Sequence, residues 1–508
     1  MPGRADVIVV GAGSAGCVVT RRLVDAGVRV VLLEAGGPDA NPAIHDPSRM
    51  GELWHGPEDW DFYTVPQKHA AGRRLHLPRG RVLGGSHALN GMIWVRGCPH
   101  DFDHWAELGN PGWSWNDVLP IYAAIERRSG TGATSPGPPG IEGLLDVAPN
   151  LPLHPIQQSI VDAAMQLGLE FNPDYNDGEL DGVSVQQVTM RAGQRVSTWS
   201  AYAAPVTGAP NLTVRTGAVV RRLLLAGTRV TGVEFEIGNR QHRVLADQVI
   251  LCAGTIGSPA ILLRSGIGPA DELRAVGVDV AADLPGVGTN LHDHLLCPVI
   301  FGTTRRQVEP PRPGRSVTQT HLFWRSRSGL AVPDTQPIHF SVPMYEPWMQ
   351  GPEAGFSLMA GMISPESRGR VRLSGARPHD ELLIDLDALA DERDVDSLAA
   401  SVEQCREMGR SAALAGEWGA YELYPGPGVT GEAAVRDYVR RAAITYHHQV
   451  GTCTMGVHSM AVVDPSLRAH GVNGLRIADA SVMPRVTTGN TNAPSILIGE
   501  RAASFVLR

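Results

Sequence analysis

Long uncharged apolar runs are missing from this 508-residue chain. The apolar opening stretch Val7-Ile8-Val9-Val10 is interrupted by glycines and followed by Arg21 and Arg22, too short to cross a bilayer. It follows the first residues directly, with no spacer for a secretory leader. Cysteine is scarce: six residues, none in a Cys-x-x-Cys pair, which excludes a dense disulfide framework and suits a reducing compartment. The expectation is a cytoplasmic protein with no integral membrane segment. An excess of basic charge is also lacking, because the formal net charge is −8, and this argues against a nucleic-acid surface. No serine stands in a Gly-x-Ser-x-Gly elbow and no P-loop occurs, so serine-hydrolase and nucleoside-triphosphatase readings lose their central element. There is no internal repeat.

What is present is enough apolar material, 43% of residues, to fill more than one core. The 58 glycines and 38 prolines follow no period and point to many turns around a folded body. Residues 6–10 are a β-branched run of the kind found in buried parallel strands. Residues 15–26 read as a helix and Val28–Leu33 as a second strand. Strand, turn, helix and strand in this order open a doubly wound sheet. Residues 34–80 form a long irregular excursion, a length typical of lids and binding loops. Ser129–Gly140 reads as a flexible surface link. A helix is expected near 155–168 and strands at Leu212–Val214, Val230–Phe235 and Val244–Cys252. Further on come strands at Ile338–Val342 and Val371–Leu373, a charged helix at 389–415, a buried strand at Leu475–Ala478 and a terminal helix at 494–507.

The fold class expected is therefore α/β, a Rossmann-like domain assembled from discontinuous segments. An α+β domain with an antiparallel sheet is inserted between them. The boundaries read as 1–155, 206–298 and 442–508 for the nucleotide domain, with 156–205 as a connecting segment and 299–441 as the substrate domain.

The turn Gly11-Ala12-Gly13-Ser14-Ala15-Gly16 follows the first strand. The first glycine permits the tight turn, the second a close approach to a pyrophosphate, and the third close helix–strand packing. Backbone N–H groups and the helix dipole then face phosphate. Glu34 closes the next strand, where a carboxylate accepts from ribose hydroxyls and disfavours a 2′-phosphate. The motif alone does not separate NAD from FAD. A second small-residue element, Pro78–Gly91, carries Arg79, Arg81, Gly84, Gly85 and Asn90, and reads either as a cradle for a flat cofactor or as a turn capped by Ser86. A late element holds Asp479, Ala480, Gly489, Asn490, Thr491 and Asn492 ahead of the terminal helix, where the amides can serve a ligand edge or cap the helix.

Eighteen histidines require sorting. Cys98, His100, Asp101, Asp103 and His104 are crowded, yet their spacing matches no common zinc motif. His292-Asp293-His294 reads as a polar packing cluster. In Tyr446-His447-His448-Gln449, adjacent side chains of an extended segment point opposite ways, so one of the two histidines faces a cleft. An ordinary imidazole, titrating near ~6.5, suits general-base work there. Spacing does not say which of the two it is.

These segments together resemble the glucose–methanol–choline oxidoreductase family of FAD-dependent alcohol-oxidising enzymes. The matching pieces, in family order, are GAGSAG at 11–16, PRGRVLGGSHALNGMIWVRG at 78–97 and GTIGSPAILLRSGIGP at 254–269. They continue with LPGVGTNLHDH at 284–294, HQVGTCTMG at 448–456, GLRIADASVMP from 474 and TTGNTNAP up to 494. The resemblance implies that Gly11, Ala12, Gly13, Ser14, Gly16 and Glu34 hold the ADP half of FAD. It places Arg81, Gly84, Gly85, Asn90 and Gly91 along the flavin and Val220 at the adenine. Ala253 and Gly254 fall in a cofactor-adjacent turn, and Asp479, Ala480 and Thr491 near the pyrophosphate and ribityl chain. The family's catalytic histidine falls on His448, and its second catalytic position on Asn490. The histidine through which some members attach FAD covalently is replaced by Leu89, with His87 offset by two residues, so non-covalent FAD is expected. No metal ligand is assigned, and His292 and Asp293 become structural.

The implied reaction oxidises a small-molecule alcohol to an aldehyde or ketone, with hydride passing to flavin N5. Electrons then go to O₂ or to a quinone or protein acceptor, and residues alone do not decide between oxidase and dehydrogenase. A choline-dehydrogenase-like enzyme is one alternative; a flavin-dependent lyase or a non-catalytic FAD-binding relative is another. Phe340, Met344, Tyr345, Trp348 and Met349 read either as substrate pocket or as core. Self-association is left open.

Overall fold

A computed structural model describes residues 4–128 and 143–508. The link expected at Ser129–Gly140 lies outside the described residues. The β-branched run at the start forms strand β1, Arg4–Val10. It is followed by helix α1, Ser14–Asp25, and strand β2, Val30–Leu33. β2 starts later than the pattern Val28–Leu33 suggests. Gly27 is in the left-handed region at φ 81° and Val28 N–H donates back to Leu23 O, so these residues close the helix first.

β1 and β2 are parallel, and the parallel set continues with Leu212–Arg215 beyond β2 and Arg240–Leu251 on the other side of β1. All four residues of β2 are buried, as expected of a strand covered on both faces. Arg240–Leu251 serves two partners. Its last residues pair with the parallel strand Leu475–Ile477, and its first half pairs with the antiparallel strand Arg229–Ile237. A strand that the sequence reading does not single out, Ala218–Ala226, completes the sheet beside Arg229–Ile237. The terminal helix, Asn492–Leu507, packs directly on α1. A Cβ on Gly499 would lie 2.8 Å from Ala15 O, and Arg22 meets Glu500 with two hydrogen bonds of 2.8 and 2.9 Å.

The second sheet is antiparallel. Its order is Ala420–Tyr424, Leu295–Thr303, Phe356–Met362, Ile338–Phe340, Thr318–Phe323 and Gly182–Val185, with Ile444–Thr445 pairing alongside Leu295–Thr303. The charged helix Glu392–Gly409 covers it, burying Val395, Leu398, Val402, Cys405 and Met408. Helix Pro155–Gln166 joins the same core through Ile156 and Ile160. The sheet thus draws strands from 182–185 and 444–445 as well as from 295–424, and Leu295–Thr303 starts before the boundary read at 298. The strand at Arg370–Leu373 pairs only with Leu382–Asp385, in a hairpin of its own. All six cysteines are buried and unpaired. Among the described residues, no helix is long and apolar enough to cross a membrane.

Candidate active site

A cavity of about 540 Å³ runs from the glycine turn to the edge of the antiparallel sheet. Its phosphate-sized end is made by three helix starts. α1, the helix Gly254–Arg264 and the terminal helix begin beside it after Gly13, Ala253 and Thr491; none is capped by its own N-cap side chain, but Gly254 N–H donates to Asp479 Oδ2 at 2.9 Å. Helix N-termini lining one space favour an anion, most clearly at α1 and the terminal helix, where no side chain is seen to cap the start.

The glycines differ in what surrounds them. A Cβ on Gly11 would overlap Cys252 O, and φ there is 101°; a Cβ on Gly16 would overlap Gly11 O. A Cβ on Gly13 would meet only Gly85 Cα, at 3.8 Å. Gly13 and Gly85 face each other backbone to backbone on the cavity wall. Glu34 accepts from Ala12 N–H and Gly36 N–H, both at 2.8 Å. Burial pushes its carboxyl up to about 7, against the pull of those amides. The side-chain-free wall, the three helix starts and this carboxylate match the diphosphate and ribose of a dinucleotide.

The other end is built around His448. Asn490 Nδ2 lies 3.1 Å from His448 Nε2, and Asn490 Oδ1 accepts from Gln336 Nε2 at 3.1 Å. With Nδ2 donating, His448 Nε2 is the acceptor. Its Nδ1–H then points at His294 Nδ1, 3.0 Å away. His448 N–H donates to Asp293 Oδ1 at 2.7 Å, and Gln449 Nε2 donates to the other oxygen. Burial, followed by the fields of His294, His447 and Arg79, holds the His448 imidazole well below its usual 6.5, so it is neutral near pH 7. Burial likewise brings His294 down to about 3 and Asp293 up to about 7. Tyr446 stacks on the His448 ring with centroids 4.5 Å apart.

His447 occupies the left-handed region at φ 66°, which turns its ring toward Trp54 and Thr445 Oγ1 while His448 faces Asn490. Both histidines line the cavity, but only His448 meets Asn490.

Of the residues named from the sequence, Gly11, Gly13, Ser14, Glu34, Gly85, Asn90, Gly91, Val220, Ala253, Gly254, His448, Asp479, Ala480, Asn490 and Thr491 lie on this one cavity wall. Ala12, Gly16 and Gly84 stand one layer behind, where Gly84 N–H donates to Ala12 O. Arg81 is not brought to the cavity. It is exposed and lies over the Trp60 ring, whereas partly buried Arg79 lines the wall and donates to His447 O. Leu89 lines the cavity. His87 is fully buried, its ring nitrogens engaged by Thr189 Oγ1 and Thr198 N–H. His292 accepts from Val486 N–H, and Asp101 accepts from Thr488 N–H and Oγ1; both groups tie loops together. Phe340, Met344 and Tyr345 line the cavity, whereas Met349 belongs to the core of the second domain and Trp348 is half exposed.

Three functional neighbours escaped the sequence reading. His294 had been grouped with a packing cluster. Gln336 sits in a region without motifs. Arg195, brought down to about 9 by burial, donates to Asn90 O and Oδ1 and fixes that amide.

Two models of one family match most of the chain, the GMC oxidoreductase N-terminal part over residues 5–296 and its C-terminal part over 365–499. The chain belongs to the GMC oxidoreductases. It is an FAD-dependent alcohol oxidoreductase of mixed α/β fold. The oxygen-dependent choline dehydrogenase of Brucella ovis is 36% identical, the match covering 99% of this chain and 95% of that one. The structure of pyridoxine 4-oxidase from Mesorbium loti superimposes with a TM-score of 0.92 at 36% identity, covering 98% of each chain. A fungal aryl-alcohol oxidase shares the fold at a TM-score of 0.87 and 22% identity.

Proposed function

We propose that this enzyme oxidises a small neutral alcohol, aromatic or apolar next to its hydroxymethyl group, with FAD held non-covalently and O₂ as the electron acceptor. The observation that carries the substrate class is the wall around His448. Ile93, Leu296, Ile338, Phe340, Met359 and Tyr446 belong to one apolar cluster, and all line the cavity. The acid nearest these residues in sequence on the wall is Glu346. Burial raises its carboxyl, a setting that suits a neutral ligand better than a cation. Pyridoxine 4-oxidase, named for an aromatic alcohol, supports this class. O₂ as acceptor is supported by the names of both 36%-identical relatives. Leu89 offers no nitrogen for a flavin bond, and buried His87 is already engaged.

FAD, when bound, supplies the hydride acceptor. His448 Nε2, neutral and facing the cavity, takes the hydroxyl proton. Asn490 Nδ2 donates to the alcohol oxygen and steadies the charge that develops on it. His294 holds His448 in the tautomer whose lone pair is at Nε2, where a substrate hydroxyl would take the place of the Asn490 amide. The six unpaired cysteines suit a reducing cytoplasm.

The test is anaerobic bleaching of the purified flavoprotein by benzyl alcohol, pyridoxine, hexanol, choline and glucose, followed by mixing with air. Bleaching by the first three, with stoichiometric carbonyl product and rapid reoxidation by O₂, is expected. Choline also merits inclusion because Glu346 shares the wall with Tyr345 and Phe340, a partial anionic and aromatic lining. Preferential bleaching by choline would move the assignment to a cationic alcohol held at Glu346.

A further inference from the structure

The crowded segment at 98–104 and the cluster at 292–294, to which the sequence assigns no metal, are not where ligand atoms converge. Within the described residues they converge in the excursion after β2, at His55, Asp61 and His76, whose donor atoms lie within 4.8 Å of one another. His55 Nδ1 is 2.7 Å and His76 Nε2 is 3.0 Å from the same Asp61 oxygen, and a second carboxylate, Asp59 Oδ2, is 3.3 Å from His76 Nε2. His76 Nε2 is sealed from solvent, yet it makes no well-aligned hydrogen bond with either carboxylate. The two imidazoles stack with centroids 3.9 Å apart.

Two imidazole nitrogens and one or two carboxylate oxygens suit a borderline divalent transition ion. Calcium and magnesium prefer oxygen alone, and no thiolate is present to select a softer ion. His55 and Asp61 are about half exposed, so an ion can enter from solvent. Asp59 is fully buried and accepts from the backbone N–H groups of His55, Asp61 and Arg79, which presets the loop around the site.

We propose that His55, His76 and Asp61, with Asp59 beside them, bind one divalent transition-metal ion of the zinc class. The ion would clamp the loop that covers the flavin cavity. The reason for assigning a clamp is position. Trp54, Trp60 and Phe62, which alternate with the ligand residues along the chain, line the cavity, as does Arg79 three residues beyond His76. Binding joins 55, 61 and 76 at one point and restricts the opening of the segment between them. This ion takes no part in the alcohol chemistry, because the ligands lie outside the cavity wall.

The test titrates the metal-free holoenzyme with zinc at neutral pH by calorimetry. One saturable equivalent is expected in the wild type, with binding weakened about tenfold or more in His55→Ala/His76→Ala. A control, His100→Ala/His104→Ala, removes the other stacked surface pair and is expected to leave the equivalent intact. Zinc should also slow flavin release from the wild type but not from the His55→Ala/His76→Ala variant. If that variant loses flavin on purification, X-ray absorption at the zinc edge of the wild type decides, two imidazoles in the coordination shell being expected. No saturable zinc uptake, equal uptake by the first variant, or a coordination shell without imidazole would each overturn the proposal. Alcohol bleaching in zinc-free buffer reports separately on the enzymatic reading.

Discussion

At the scale of single residues, the central fact is that His448 is neutral and its Nε2 carries the lone pair, which accepts from Asn490 Nδ2. Asn490 Nδ2 lies 3.1 Å from that nitrogen, and a substrate oxygen entering between them would receive the amide hydrogen while giving up its proton. Losing one positioned donor to a developing oxyanion costs about 3 kcal/mol, so Asn490→Ala should slow anaerobic flavin reduction about 100-fold with FAD still bound. His448→Ala should slow it further. Stopped-flow reduction at saturating alcohol measures both, and reduction by the His448 variant near wild-type speed would remove it from the mechanism. The same burial predicts the pH profile. A base works only when unprotonated, and a pKa pushed below 6.5 keeps it unprotonated down to lower pH. The reduction rate should therefore be level above pH 6.5 and fall only on the acid side. An acid limb centred above 6.5 would mean that another group titrates.

At the scale of elements, the glycine turn separates two jobs that the motif writes in the same letter. Gly11 and Gly16 are required by the protein itself, since a Cβ on either would strike the backbone of Cys252 or Gly11. Gly13 has ordinary extended φ of −85° and only Gly85 Cα at 3.8 Å as a neighbour, so nothing in the polypeptide forbids a methyl group there. On the proposed reading, what forbids it is the cofactor, which would lie against this wall. Gly13→Ala should thus keep the melting temperature of the flavin-free protein but bind FAD more weakly, whereas Gly16→Ala should lower that melting temperature, by about 1–3 kcal/mol of stability. Equal loss of stability in both variants would assign Gly13 to packing. Differential scanning fluorimetry with and without FAD distinguishes these results.

Across the whole molecule, the sequence is readable where chemistry is local. β1, α1, β2 and Glu34 sit within some thirty residues, so turn chemistry and period were enough to place them. The site at His448 is different. Asp293 reaches it across 155 residues, Gln336 reaches Asn490 across 154, and Arg195 reaches Asn90 across 105. Those meetings depend on long-range packing, which no spacing announces; the choice of His448 over His447 rests on family resemblance. Arg81 shows the converse, since two arginines in one motif look alike until the fold directs Arg79 to the cavity wall and Arg81 over Trp60.

Burying so many polar groups around one cavity also sets the acid stability of the molecule. Burial lowers His87, His294, His321, His339 and His447 to about 3 in the folded state, against 6.5 when unfolded. Below 6.5 the unfolded chain takes up protons that these folded imidazoles refuse, so their effect is to remove stability as pH falls from 6.5 toward 3. Glu34 and Asp293, raised to about 7, act in the opposite sense: the folded state holds their protons between about 4 and 7, adding stability as pH falls through that range. His292 and His448, also held well below 6.5 by burial, act with these five, so the buried imidazoles outweigh the two carboxyls. The flavin-free protein should therefore lose stability steadily between pH 6.5 and 5, and His339→Asn should flatten the slope by about one proton. Urea unfolding followed by tryptophan fluorescence at several pH values measures it. A protein that becomes more stable over that interval as acid is added would show that carboxyl protonation, not the buried histidines, governs the balance.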